Sequence, residues 1–366
     1  LARYVPGYVD PEAPPRKPVD PVFEASRIAA INEINQSVAS GVSRGNTEHT
    51  IQKLGSLTSR VVGYPGNREA FEYVKSSFQT IGLENIKIDT FQVTIPIDQG
   101  GHLTVDGSVR QIPVHALWPN RARTPSLPPE GINGPLVYAG KGSWAEFNGR
   151  TIDGAIVLMD FDSDDRYLNA RMLGAQAVVF FDNGVVTRGE AEQKSEEVPL
   201  SIPRFWIAVE DARFLIDNIT DINGVHLVSK TTWETVETWN VYGYVHGSND
   251  PWPGMDGEAR LSWRDKTIVV QAHYDAMSVV PALAPGSESA GGIAGLLQAA
   301  SVIKQYRPGY TYLFLATSAH FQALAGVSDF VYRHARTADR FLNTIPESQR
   351  IPIDLFIGLD FSSGSD

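Results

Sequence analysis

The sequence predicts an α/β protein, with a mostly parallel or mixed sheet carrying helices on both faces and a β-rich module inserted into it. Three observations point there. In the last third of the chain, short apolar runs of buried-strand type alternate with helical stretches. After residue 24 the chain opens with helix and then strand patterning. Between residues 100 and 230 the texture changes to short apolar runs separated by Gly, Pro and Asn, which is the spacing of a β-rich module with one or two helices.

Residues 1–24 hold Pro6, Pro11, Pro14, Pro15, Pro18 and Pro21. That density disfavours helix and central strand and predicts an extended arm, either a tether or a passive tail. From Glu24 onward, Ile28, Ile31, Ile34 and Val38 recur at helical spacing. A turn over residues 62–67 precedes a second helix, with Ala70, Phe71, Val74, Phe78 and Ile81 on one face and Gly82 as its stop. Ile86, Ile88, Phe91, Val93 and Ile95 then predict a strand ending at Pro96. In the inserted module the apolar runs are residues 134–138, 154–159 and 177–181, with a helix-like stretch at 168–174. The first texture returns at Trp239. Residues 267–272, 311–316 and 353–359 read as buried strands, and 290–303 and 323–332 as helices. The expected organisation is an arm (1–24), an α/β domain in two pieces (25–99 and 236–366) and an insert (100–235).

Composition narrows the function. The chain of 366 residues is 42% hydrophobic and 20% charged, within the globular range. Its formal charge of −11 and lack of any basic run exclude a nucleic-acid backbone as the main partner. The absence of cysteine excludes disulfides, thiolate zinc sites and cysteine nucleophiles together. No apolar run approaches the roughly 20 residues needed to span a bilayer. A start at Leu1 with no signal-like segment reads as a processed form or a fragment.

In sheets of this kind, ligands sit at the carboxyl ends of parallel strands. Three predicted strand ends carry candidates: His273 and Asp275 after the first, His320 after the second, and Asp360 after the third. Between the first two, Glu288 precedes a glycine-rich helix start whose backbone can approach a site closely. His273 can offer one imidazole nitrogen to a metal while Asp275 orients the ring from behind. Glu288 and Asp360 can add oxygen ligands. Each has an ordinary structural explanation too, since a lone His after a strand is commonly a hydrogen-bonded core residue and an Asp there a cap or turn former. Their shared position in one sheet is what joins them.

Other features point less far. Ser287 and Ser289 lack the Gly-x-Ser-x-Gly elbow of a serine hydrolase. Asp160, Asp162, Asp164 and Asp165 form an acidic stretch without the spacing of an EF-hand, and so read as a solvated loop. Trp233, Trp239, Trp252 and Trp263 cluster near the return to the first texture and read as packing. Asn35 and Asn218 fit the glycosylation sequon.

The run Ala272-His273-Tyr274-Asp275, the Pro285-Gly286 turn with its small-residue helix, and the stretch Phe314–Gly326 resemble the MH-clan zinc exopeptidases, which include di-zinc aminopeptidases, glutamate carboxypeptidase and the transferrin receptor. Leu57–Arg60, Gly63–Gly66 and Asn240-Val241 extend the resemblance over most of the chain. Residues 152–183 resemble the protease-associated (PA) domain, with an ordinary α/β insertion as the alternative. The resemblance implies a zinc-exopeptidase fold with one or two zinc ions. It makes His273 a metal ligand, Asp275 the residue orienting it, and Asp360 a ligand of the second metal.

Departures are as plain. Glu288 falls where the family has a bridging Asp, in a segment one residue short. His320 and Phe321 stand at the family's Glu-Glu pair. His320 then either abstracts a proton as base or joins the ligands, one role excluding the other, and Phe321 coordinates nothing. No late His ligand can be assigned before the chain stops at Asp366.

The expectation is therefore a pseudoenzyme: a zinc-exopeptidase-like protein with a degenerate metal site, serving binding or assembly in a larger extracytoplasmic complex. Its expected partners are a peptide or protein and further polypeptide that completes the domain. The alternative is a metal-dependent aminopeptidase or carboxypeptidase with a one- or two-metal site.

Overall fold

A computed structural model describes residues 21–195, 199–248, 264–306, 308–335 and 350–361. The proline-rich segment 1–20, Trp252, Trp263 and the chain after Phe361 lie outside the described residues.

Three helices open the described chain: α1 (Pro21–Gly41), α2 (Arg44–Gly55) and α3 (Pro65–Ile81). Helix α1 already includes Pro21, ahead of the Glu24 at which the apolar periodicity starts, and proline is well suited to a first helical turn. Pro65 opens α3 in the same way, and Gly82 closes it in the left-handed conformation at φ 80°. The apolar face of α3 buries Ala70, Phe71, Val74 and Phe78, as its spacing predicts.

The rest alternates. It runs β1 (Glu84–Val105), β2 (Gln111–Ala116), β3 (Ile132–Gly134), β4 (Leu136–Tyr138), α4 (Trp144–Phe147), β5 (Ile156–Asp160), α5 (Tyr167–Met172) and β6 (Ala177–Phe181). There follow α6 (Arg188–Gln193), β7 (Arg204–Trp206), α7 (Val209–Asp217), β8 (Val225–Val245) and β9 (Thr267–His273). Last come α8 (Gly291–Tyr306), β10 (Thr311–Thr317), α9 (Ala325–His334) and β11 (Ile353–Gly358).

The described strands form one mixed sheet in the order β11-β9-β10-β8-β1-β2-β7-β6-β5-β4, with β3 on β8. Strands β9, β10 and β11 run parallel, as do β4 to β7. The long antiparallel pair β1–β8 joins the two parallel blocks, running from Glu84 opposite Tyr244 to Val105 opposite Val225. Strand β1 does not end at Pro96. That residue lies opposite Trp233, and β2 joins the other side of β1 only from Gly101 to Thr104, so a proline stands there beside an unpaired flank.

Helices cover both faces of the first block. On one face α3 and α8 bring Phe71, Val74, Phe78, Ile293 and Leu297 onto Val270, Ala272, Phe314 and Ala316. On the other, Phe330 of α9 packs with Tyr242, Val269, Leu313 and Leu315. Phe78 and Phe330 are fully buried, and burying a side chain of this size contributes about 1.5–3 kcal/mol. These two layers fix β9, β10 and β11 side by side and so align their carboxyl ends.

Candidate metal centre

Parallel register places Thr317 of β10 beside His273 of β9, and Gly358 of β11 beside Gln271. Residues just past these strands therefore converge on one rim. Among the described residues, one group of metal-ligating side chains lies there: His273, His320 and Asp360, each offering an atom within 4.8 Å of the others. His273 Nε2 is 3.8 Å from Asp360 Oδ1, and His320 Nε2 is 3.8 Å from Asp360 Oδ2. The two imidazoles stack, with centroids 4.0 Å apart and planes 20° from parallel.

Asp275 lies behind this group. Its Oδ1 is 3.4 Å from His273 Nδ1, and its Oδ2 accepts a 2.9 Å hydrogen bond from the His320 backbone N–H. One buried carboxylate thus touches both histidine segments. Glu288 sits exposed on the 3-10 turn Ser287–Ala290 and is not in the group. Phe321 stands edge-on to both rings, with centroids 5.4 Å from His273 and 5.0 Å from His320, and is itself exposed.

Backbone strain aims His320. Ala319, Ala323 and Leu324 all have positive φ, at 56°, 53° and 58°. For residues with a Cβ this conformation costs about 1–2 kcal/mol each. The loop is held from outside: Asn67 Nδ2 donates to Ser318 Oγ at 3.2 Å, and Asn240 Nδ2 donates to the Gly326 carbonyl at 2.8 Å. Both asparagines are buried.

A buried arginine braces the other loop. Arg60 donates from its guanidinium to the carbonyls of Tyr274, Pro285 and Gly286 and to Ser289 Oγ. Burial lowers the Arg60 guanidinium to about 10, partly offset by the charges of Asp275 and Glu288, so it stays protonated at neutral pH. Leu57–Arg60 and Asn240-Val241 carry part of the resemblance, but nothing in the sequence assigns Arg60, Asn67 or Asn240 a role at the site.

Two imidazoles and one carboxylate are donor types that zinc takes. His273 Nδ1 and Asp275 Oδ1 are both buried without a hydrogen-bond partner, and a modest approach pairs them with the proton on Nδ1. Nε2 then presents its lone pair toward Asp360. Burial, and then the charge of His273, hold the His320 imidazole below its ordinary pKa, which favours the neutral form a ligand needs. The three donor atoms, one from each side chain, lie within 4.8 Å of one another, wider than the roughly 3.3–3.6 Å between donors of a tetrahedral zinc at about 2.0–2.2 Å, so the side chains would close in around an ion.

Comparison with family models matches residues 132–213 to the PA domain and residues 254–361 to peptidase family M28. The fold is that of the zinc exopeptidases. A zinc aminopeptidase from Bacillus subtilis is similar in structure, with 21% identity and a TM-score of 0.52 over 87% of this chain and 69% of that one. A peptidase M28 precursor from Shewanella amazonensis SB2B has 14% identity and a TM-score of 0.50 over 84% and 71% of the two chains. An aminopeptidase from Aneurinibacillus sp. strain AM-1 shares 19% identity over 89% and 72%, with a TM-score of 0.44. No curated protein matches significantly. The PA resemblance read from residues 152–183 falls inside the matched PA segment, and the zinc-exopeptidase segments from His273 to Asp360 fall inside the M28 match.

Proposed function

We propose that this chain is a metal-dependent exopeptidase of peptides or proteins, built on a single zinc ion held by His273, His320 and Asp360. The observation that carries this reading is the mutual approach of these three ligand atoms at the ends of parallel strands, with Asp275 set behind His273. The similarity to a zinc aminopeptidase of Bacillus subtilis supports it. Bound zinc supplies Lewis-acid polarisation of a peptide carbonyl and activation of water. The protein's own residues do the rest. Asp275 holds the His273 proton on Nδ1 and anchors the His320 backbone, so both rings stay aimed. Phe321 walls one side of the group and keeps an apolar surface against it.

A second reading, a zinc-exopeptidase fold kept for binding or assembly, is favoured by one observation. With His320 among the ligand atoms and Phe321 beside it, the group holds no second carboxylate to take a proton. The test is hydrolysis of a panel of aminoacyl-p-nitroanilides by the full-length chain supplied with zinc. Release that stops with chelator, returns with zinc and is absent in His273→Ala supports the peptidase. Zinc binding without release on any substrate supports the second reading instead.

The same proposal places the chain outside the cytoplasm, supported by the description of the Shewanella relative as a precursor. Among the described residues no helix is long and apolar enough to cross a membrane. Further polypeptide packing on β11 also belongs to the proposal, supported by Leu355, Phe356 and Ile357 standing exposed on that edge strand.

A further inference from the structure

We infer that Arg60 is a positioning residue of the zinc site, fixing from beneath the peptide that carries His273 and Asp275. The inference rests on the zinc reading above. Arg60 is among the largest fully buried side chains among the described residues, and it belongs to the segment between α2 and α3 rather than to the site's own strands.

Its contacts single out two places. The first is the carbonyl of Tyr274, the residue between His273 and Asp275, which accepts from Nη1. The second is the turn before α8, where Nε donates to the Pro285 carbonyl at 2.5 Å and Nη2 to the Gly286 carbonyl and, at 3.1 Å, to Ser289 Oγ. The main chain repeats the link: Arg60 N–H donates to the Ala284 carbonyl at 2.8 Å, and the Arg60 carbonyl accepts from Ala276 N–H at 3.2 Å. Arg60 thus clasps residues 274–276 and 284–289 to each other.

This arrangement calls for an arginine. A planar guanidinium presents five N–H groups in a fixed fork and can hold several carbonyls at set angles. A lysine brings a single ammonium on a flexible stem, and cannot span Tyr274 and the 285–289 turn together. The buried cation also stands where the charges of Asp275 and Glu288 reach it, so it offsets the carboxylate that orients His273. Loss of an interaction that orients a metal ligand typically costs about 10–100-fold in metal affinity.

The experiment is a zinc-affinity measurement on the full chain by competition with a chromophoric chelator, with circular dichroism and thermal melting to score folding. Four variants are compared with the wild type: Arg60→Lys, Arg60→Met, Ser289→Ala and Phe205→Leu. Phe205 is fully buried on β7, in the core of the inserted block, and serves to match a loss of stability. We expect Arg60→Lys and Arg60→Met to weaken zinc binding about tenfold or more while folded, and Ser289→Ala to weaken it by a smaller factor. Phe205→Leu should melt lower yet bind zinc as the wild type does. Wild-type affinity in folded Arg60→Lys overturns the inference and leaves the zinc reading standing. So does an equal loss of affinity in Phe205→Leu, which would make Arg60 a matter of stability alone. Should the Arg60 variants not fold, unchanged affinity in Ser289→Ala overturns it. A wild-type chain without zinc affinity overturns both readings.

Discussion

At the scale of single residues, the site is a matter of which atoms are left without partners. His273 Nδ1 and Asp275 Oδ1 face each other at 3.4 Å, buried and otherwise unsatisfied, while Nε2 of the same ring looks out toward Asp360. A carboxylate behind an imidazole fixes its tautomer and raises its basicity as a ligand. Asp275→Asn keeps the size and removes the charge. We expect it to lower zinc affinity about 10–100-fold, read by competition titration, with the fold intact by circular dichroism. Unchanged affinity would show that Asp275 serves only the His320 backbone. The residues His273, Asp275 and Asp360 were legible because each follows an apolar run that could be read as a strand. His320 was legible at its strand end, but its approach to Asp360 was not, because it depends on a loop with Ala319 in the left-handed region, a conformation no local pattern announces. Arg60 was less legible still: its partner Tyr274 lies 214 residues away.

Among elements, the glycines at the start of α8 decide how closely the third strand end can pass. A Cβ on Gly292 would lie 2.4 Å from the Leu359 carbonyl oxygen, and one on Gly291 would lie 2.8 Å from that of Phe361. Leu359 and Phe361 flank Asp360, so the bare helix start is what lets this carboxylate reach His273 and His320. Gly292→Ala should push the segment away and weaken zinc binding by about tenfold or more. Equal affinity in that variant would mean that Asp360 is positioned by β11 alone. Strands β5 and β6 and helix α3 matched their apolar patterns closely, since a buried run or a single stripe is a local property. The full length of the β1–β8 pair escaped the sequence. Strand β8 alternates Glu234, Thr235, Glu237 and Thr238 through its middle, so it shows no apolar run, and it is held by register with β1 instead.

For the whole molecule, the β1–β8 pair makes one continuous sheet of a zinc-exopeptidase block and a PA block, and the metal group lies at the rim of the first. At that rim, on the function proposed above, two histidines and one aspartate hold a single zinc ion. The direct measurement is zinc stoichiometry of the full-length protein by elemental analysis after dialysis against zinc. It should be made for the wild type and for His273→Ala, His320→Ala and Asp360→Ala. One zinc per chain, lost in all three variants, is the expected result. Retention in His320→Ala would return that residue to the role of base, and two ions per chain, or none, would contradict the account.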